Sequence, residues 1–297
     1  MTSTEDPPFH LFSSLQYSKT LLTQDENTRL NNGQPSPYSM LPYHRDRILN
    51  AARNFGWDAA VSALESSNCL DDIQKKCDEA VEKVLDGVAV DERDEVSLRI
   101  RVIISQSGAL TTETFLISSL PQASFFPQSL NPETHTATTP NAKIYKVYLD
   151  TQSTLPSDLT RYKTTARKHY DDARIRVGIT NWTDAKEVIL WSSVDDMVME
   201  GSITNVYFYR PGKGGWITPT TPIPTATSTP STASGGSKGG LGAGGTAGTV
   251  RRWLLEQGMV TVGDVKRDEV VVGEWVWLTN GVKGVILGRI EEVEIDK

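Results

Sequence analysis

Lys163 lies in Tyr162-Lys163-Thr164-Thr165-Ala166-Arg167, and further along the chain Glu200 opens Glu200-Gly201-Ser202-Ile203-Thr204-Asn205-Val206. A lysine amine can hold an aldehyde as a Schiff base. A carboxylate facing a pyridine nitrogen can keep that nitrogen protonated and the ring electron-withdrawing. The pair therefore suits pyridoxal phosphate, with Lys163 and Glu200 in the two roles. An isolated lysine is ordinarily a solvated surface charge, and Glu200 has the alternative of being a strand-edge charge. Position argues against both bland readings. Lys163 stands where an extended segment gives way to a helix, from which a side chain can project into a cleft between domains, and Glu200 reads as the mouth of a buried strand. The cations Arg161, Arg167 and Lys168 near Lys163 would help to keep its amine deprotonated and nucleophilic.

Three further segments carry chemistry. Gly248-Thr249-Val250-Arg251-Arg252-Trp253-Leu254-Leu255-Glu256 passes from glycine into an amphipathic helix whose free N–H groups make an anion cradle, or else it is a linker entering a structural helix. His44-Arg45-Asp46-Arg47-Ile48 opens the first long helix, where Arg47 is either a surface residue or a bidentate phosphate ligand. Trp277-Leu278-Thr279-Asn280-Gly281-Val282-Lys283-Gly284 reads as two strands around a tight turn whose glycines allow close backbone approach, or as a mere hairpin. Gly240-x-Gly242-x-x-Gly245 has the letters of a dinucleotide fingerprint but follows a Thr/Pro/Ser run rather than a strand, so we reject it.

The elements that must position these residues alternate. Helical spacing dominates from His44 to Leu85, with Leu70, Ile73, Cys77, Val81, Val84 and Leu85 on one face. Strands are expected at Leu98–Ile104, Thr114–Ile117 and Ile144–Leu149, and residues 118–143, rich in proline, as a surface excursion. The second half predicts a helix over 165–177, strands at 187–191, 203–209 and up to 217, and a helix over 250–257 stopped by Gly258. These patterns give two α/β domains, residues 1–155 and 156–297. Residues 218–248, first Thr/Pro/Ser and then 8 glycines in the last 14, read as a low-complexity insert, mostly disordered.

A chain of 297 residues is long enough to enclose a cofactor. Its net charge of -7 argues against a nucleic-acid binder and for a small-molecule substrate. No apolar run reaches the ~20 residues that span a bilayer, and the first residues lack a signal-peptide pattern, so a soluble cytoplasmic protein is expected, with no membrane partner. Cys69 and Cys77 on one helix stand about 12 Å apart, too far for a disulfide. His10, His44, His135 and His169 show no zinc spacing, so no metal is expected.

Taken together and in order, these segments resemble the fold-type IV pyridoxal phosphate enzymes (class-IV aminotransferase family), the group of branched-chain aminotransferases, D-amino acid aminotransferases and aminodeoxychorismate lyases. Tyr-Lys-Thr-Thr-x-Arg-x-x-Tyr, Glu-Gly-Ser-Ile-Thr-Asn, Gly-Thr-x-Arg-Arg-Trp-Leu-Leu-Glu and Asn-Gly-x-x-Gly look most like the fungal 4-amino-4-deoxychorismate lyases. The resemblance implies a two-domain, D-amino acid aminotransferase-like architecture with pyridoxal 5'-phosphate between the domains. It makes Lys163 the Schiff-base lysine and proton carrier, and Glu200 the partner of the ring nitrogen. Arg47, the backbone amides of Thr249 and Val250, and the Thr279-Asn280 turn would hold the phosphate, with Asn205 near the cofactor. The implied reaction is elimination of pyruvate from 4-amino-4-deoxychorismate to give 4-aminobenzoate, a folate precursor. The alternative is an aminotransferase of the branched-chain, D-amino acid or amine type. No carboxylate-binding arginine of the family is matched, Arg99 and Arg101 lying on a strand with either orientation open. Family members are often dimers, which leaves a homodimer open for this chain.

Overall fold

Leu11–Ser18 forms the first strand, β1, and is buried at seven of its eight positions despite three serines and a glutamine. Burial without alternation means cover on both faces. Ser13 is tolerated there because its hydroxyl pairs with His44 Nδ1 at 2.6 Å. Lacking both a period of two and a β-branched run, this strand is absent from the sequence-based expectations. The computed structural model describes residues 9–119, 125–138, 142–221 and 244–293.

After β1 come α1 (Asp25–Leu30), α2 (Leu41–Asn54), α3 (Asp58–Glu65) and α4 (Cys69–Leu85), then β2 (Ser97–Ile104) and β3 (Leu110–Ile117). The three strands form an antiparallel sheet in the order β1-β2-β3. Ile73, Cys77 and Val81 line the buried face of α4 and share a core with Leu98, Ile100 and Val102 of β2, as their helical spacing predicts. Cys69 and Cys77 are buried free thiols.

The second half contains α5 (Pro132–Thr138), β4 (Tyr145–Leu149), α6 (Asp158–Arg161), α7 (Lys168–Arg176), β5 (Lys186–Trp191), β6 (Val198–Gly201), β7 (Asn205–Arg210), β8 (Gly215–Thr218), α8 (Thr249–Glu256), β9 (Thr261–Val262), β10 (Trp275–Asn280) and β11 (Gly284–Ile290). Among the described residues its eight strands form one mixed sheet, β6-β5-β4-β11-β10-β7-β8-β9. β4 pairs in parallel with both β11 and β5. The changeover between sheets therefore falls between Ile117 and Tyr145, ahead of the expected boundary near residue 155. The short strand β6, which carries Glu200, was not expected as a separate element. The helix expected from Thr165 begins instead at Lys168, because the backbone before it is bonded to β1.

Two expectations concern connections. Residues 118–143 are not simply a surface excursion: Phe125, Phe126 and Leu130 are buried in one cluster with Trp253 and Trp277, and Trp277 Nε1 donates to Leu130 O at 2.8 Å. Within the expected 218–248 insert, residues 222–243, and with them Gly240 and Gly242, lie outside the described residues. The ends of the insert are anchored. Arg251 Nη2 donates to Pro219 O at 3.0 Å on one side, and Asn205 Nδ2 to Thr246 O at 2.7 Å on the other.

The two sheets meet at a few specific bonds. Leu11 of β1 bridges to Thr164, Ser39 Oγ donates to Gly281 O at 3.2 Å, and Arg252 Nη1 of α8 reaches Asp46 of α2 at 2.8 Å. The candidate site lies along this seam. Among the described residues no helix is long and apolar enough to cross a membrane, and no group of three or more His, Cys, Asp or Glu side chains is placed to hold a metal ion.

Candidate functional site

Lys163 sits on the extended piece between α6 and α7. The N–H of Phe12 donates to Lys163 O at 3.1 Å, and that of Thr165 to His10 O at 2.9 Å, so the lysine backbone is fastened to the end of β1. Its Nζ lies 5.3 Å from the centre of the Phe12 ring. Burial pushes the amine down to about 7, and the charges of Arg167, Arg47 and Arg101 act in the same direction, while Glu200 opposes them. At neutral pH a large fraction of this lysine is an uncharged nucleophile.

Glu200, on β6 opposite Leu190, is also buried. Its Oε1 accepts hydrogen bonds from the hydroxyl of Tyr170 on α7 and from Thr246 Oγ1, the latter at 3.2 Å. Burial pushes the carboxyl up; the Tyr170 hydrogen bond and the nearby Lys163 charge pull it back. Both hydroxyls converge on Oε1, and the Thr246 backbone adds a further hydrogen bond to the carboxylate. The turn after Glu200 is pinned from below by Glu187 of β5. Glu187 Oε1 accepts from Ser202 N at 3.0 Å and Ser202 Oγ at 2.5 Å, and Oε2 from Ile203 N at 3.2 Å and Thr204 Oγ1 at 2.8 Å. Gly201 is required at this turn, because a Cβ there would lie 2.2 Å from Thr204 Oγ1 and 3.0 Å from Glu187 Cδ.

Across the seam, α8 begins at Thr249 with Gly248 as its cap and no side chain capping its first N–H groups. Three polar atoms near this end are buried without a partner: Thr249 Oγ1, Arg47 Nε and His44 Nε2. Gly281, in the turn between β10 and β11, closes the space. A Cβ on it would be 2.6 Å from His44 Cε1, 2.7 Å from Ser14 O and 3.0 Å from Thr249 Oγ1. Helix N–H groups, a guanidinium and a hydroxyl with spare bonding capacity form a cradle for an anion.

The expected residues differ in how they contribute. Lys163 is close enough to Arg47 and Glu200 for its charge to be coupled to both, and His44, one turn before Arg47 on α2, meets Thr249 of α8 at Gly281. Asn205 uses its amide to hold Thr246, with Oδ1 only 2.1 Å from where a Cβ of Gly248 would stand, so it shapes the approach to α8. Thr279 Oγ1 pairs with Tyr207 OH at 2.9 Å. Asn280 Oδ1 accepts from the N–H groups of Val282 and Lys283 and so builds the turn that presents Gly281.

Around Lys163 the charge is predominantly positive. Arg101 stacks over Phe12 at 4.4 Å and bonds Glu113 at 2.7 Å; Arg99 stacks over Phe115 at 4.1 Å. Both leave Nε buried and unpartnered. Arg167 lies over the Tyr170 ring at 4.7 Å and donates to Ser202 O at 2.7 Å.

Residues 26–289 match the family model for amino-transferase class IV. The chain belongs to that family. As a class IV chain it is a pyridoxal phosphate-dependent enzyme, a lyase or a transaminase. It is 31% identical over 147 residues to the aminodeoxychorismate lyase of Saccharomyces cerevisiae, a stretch covering 46% of this chain and only 34% of the yeast protein. Among solved structures, a Mesorhizobium loti protein assigned as an amino-acid aminotransferase superposes with a TM-score of 0.58 at 19% identity, covering 95% of this chain and 99% of that one. A Legionella pneumophila protein assigned as a 4-amino-4-deoxychorismate lyase gives 0.57 at 12% identity, with 96% and 83% covered. These likenesses show the fold-type IV architecture.

The residues of this class IV chain fit the cofactor. A buried lysine of depressed proton affinity, a buried carboxylate oriented by Tyr170 and Thr246, and unpartnered donors beside a glycine too crowded for a Cβ are what an aldehyde, a pyridine nitrogen and a phosphate need. Sequence reasoning missed Glu187, Thr246 and Ser13 and gave Tyr170 no separate role. A lone carboxylate in the otherwise apolar run Glu187-Val188-Ile189-Leu190-Trp191 was a usable signal. Thr246 had none, since it stands in a glycine tract.

Proposed function

We propose that this enzyme is an aminodeoxychorismate lyase, eliminating pyruvate from 4-amino-4-deoxychorismate to yield 4-aminobenzoate. The observation that carries the reading is the excess of arginine around the buried lysine: Arg101 and Arg167 act on Lys163, and Arg99 stands next to those two, with the Nε atoms of Arg99 and Arg101 buried and unpartnered. That substrate bears two carboxylates as well as its amine, and guanidinium groups suit carboxylates by charge and geometry. The 31% identity to the yeast lyase supports the same choice.

Bound pyridoxal phosphate would supply an electron-withdrawing ring that stabilises the negative charge left when a proton leaves the amine-bearing carbon. In this reading Lys163 would hold the cofactor through its amine and be freed for proton transfer once substrate is bound. Its freed, uncharged amine then takes the proton from the amine-bearing ring carbon. The Glu200 carboxylate would hold the ring nitrogen's proton in place, while Tyr170 and Thr246 orient it through Oε1. Arg47, the N–H groups of Thr249 and Val250, and the Thr279-Asn280 turn would seat the phosphate, and Asn205 holds the chain that leads to it. The arginines orient the two carboxylates so that the bond to the enolpyruvyl oxygen breaks. The lysine ammonium returns its proton as pyruvate forms, and the ring left behind is aromatic.

The deciding experiment incubates the cofactor-loaded protein with 4-amino-4-deoxychorismate and follows 4-aminobenzoate and pyruvate. Equal amounts of both, well above the uncatalysed control, are expected. Absence of product, together with turnover of an amino donor and a keto acid, would assign the site to transamination instead.

A further inference from the structure

His44 is 1% exposed and lies one helical turn before Arg47 on the same face of α2. Arg47 Nη2 donates to Ser13 Oγ, as a guanidinium can only donate. That leaves the hydroxyl proton of Ser13 free to go to His44 Nδ1, 2.6 Å away, and Arg47 Nη2, also only a donor, approaches the same nitrogen at 3.5 Å. With donors on that side, Nδ1 must be the acceptor. The ring is neutral, since burial and the adjacent Arg47 and Lys163 charges push it well below the ordinary histidine value. Its one proton therefore resides on Nε2.

That Nε2–H is buried and has no acceptor. Leaving such a donor unmet is costly, and a Ser13–His44 bond needs only Nδ1. The groups beside it are equally short of acceptors: Thr249 Oγ1 and Arg47 Nε are buried and unpartnered, and one point next to Gly281 lies within 3.0 Å of both the His44 ring and Thr249 Oγ1.

We propose that His44 is a further phosphate ligand, a neutral imidazole locked by the Arg47–Ser13 relay into the tautomer whose Nε2–H donates to the cofactor phosphate. The proposal rests on the reading above that this cradle receives the phosphate of pyridoxal 5'-phosphate. Ser13 and Arg47 then act partly through His44, making a contact from β1 and α2 that complements the one from α8.

The test titrates the full-length apo-protein with pyridoxal 5'-phosphate and with pyridoxal, which lacks the phosphate, following cofactor absorbance. Wild type is compared with His44→Asn, which replaces only the Nδ1 side, and His44→Gln, whose amide nitrogen can take the place of Nε2. Loss of one hydrogen bond to a charged acceptor predicts a ten- to hundredfold weaker affinity of His44→Asn for the phosphate ester. Affinity for pyridoxal should be unchanged, and His44→Gln should recover most of the loss. Equal weakening for both ligands, or none for either, overturns the proposal. A second measurement needs no variant: in wild type carrying 15N-labelled histidine, the imidazole should show its proton on Nε2, and that resonance should move when inorganic phosphate is added to the apo-protein. A proton on Nδ1, or no movement at saturating phosphate, also overturns it. Failure of the underlying reading looks different, since wild type would then bind pyridoxal as tightly as its phosphate ester.

Discussion

At the scale of single residues, the site depends on a lysine made uncharged by its surroundings. Because the free amine of Lys163 is pushed down to about 7, the rate at which apo-protein captures pyridoxal phosphate should rise with pH up to about 7 and level off above it. Stopped-flow absorbance across pH 5.5–9 checks this, and a limb near the ordinary lysine value would refute it. Arg167 is the foremost of the charges lowering this amine, so Arg167→Gln should move the limb to higher pH. The linked stability effect has a definite sign. A lysine that holds its proton less tightly when folded makes the apo-protein gain stability as pH rises from about 7 towards the unfolded value of 10.5. Tyr170→Phe removes one of two donors to Glu200 Oε1; kcat should fall by roughly tenfold while most of the cofactor remains bound, as single-turnover and binding assays can separate.

At the scale of elements, the β6–β7 turn positions both Glu200 and Asn205, and a carboxylate from the neighbouring strand shapes it. Glu187 takes the N–H groups of Ser202 and Ile203 and the hydroxyls of Ser202 and Thr204. Gly201→Ala should therefore cost about 1–3 kcal/mol, as overpacking of a tight interior does, and should displace Glu200. Thermal melting together with the cofactor spectrum tests this, and an unchanged melt with normal turnover would show that the turn is more yielding than its contacts indicate. The same element-level reasoning explains why α7 starts late: Lys163–Thr165 is committed to β1 before the helix can begin.

For the whole molecule, the proposed cofactor ligands come from both halves of the chain, with Arg47 on α2 and Lys163, Glu200 and Thr249 in the larger half. A ligand held across the seam binds the folded state alone, so at 100 times its Kd it should add about 2.7 kcal/mol of stability. Differential scanning calorimetry of apo- and loaded protein should show an upward shift in Tm. In Lys163→Ala the shift should be much smaller and turnover should be lost. Retained turnover in that variant would remove Lys163 from its proposed role.

Much of this architecture is legible in the chain itself. The α4 stripe, the strands around Leu98–Ile104 and Glu187–Trp191, and the Lys163, Glu200 and Thr249 motifs follow from local patterns of apolar spacing, capping and residue type, which act over a few neighbouring residues. β1 was not legible, because its serines and glutamine look exposed until two faces of cover and a histidine partner are in place. Nor was the burial of Phe125 and Phe126, which depends on Trp253 and Trp277 far along the chain. Thr246 meets Glu200, Glu187 meets Ser202, and Ser13 selects the tautomer of His44 only after distant segments are brought together. Residue types and local spacing determined which chemistry the chain carries. Tertiary packing decided the lysine's proton affinity, the hydrogen-bond partners of Glu200 and the unpaired donors of the cradle, because burial and hydrogen-bond partnership are properties of the assembled interior.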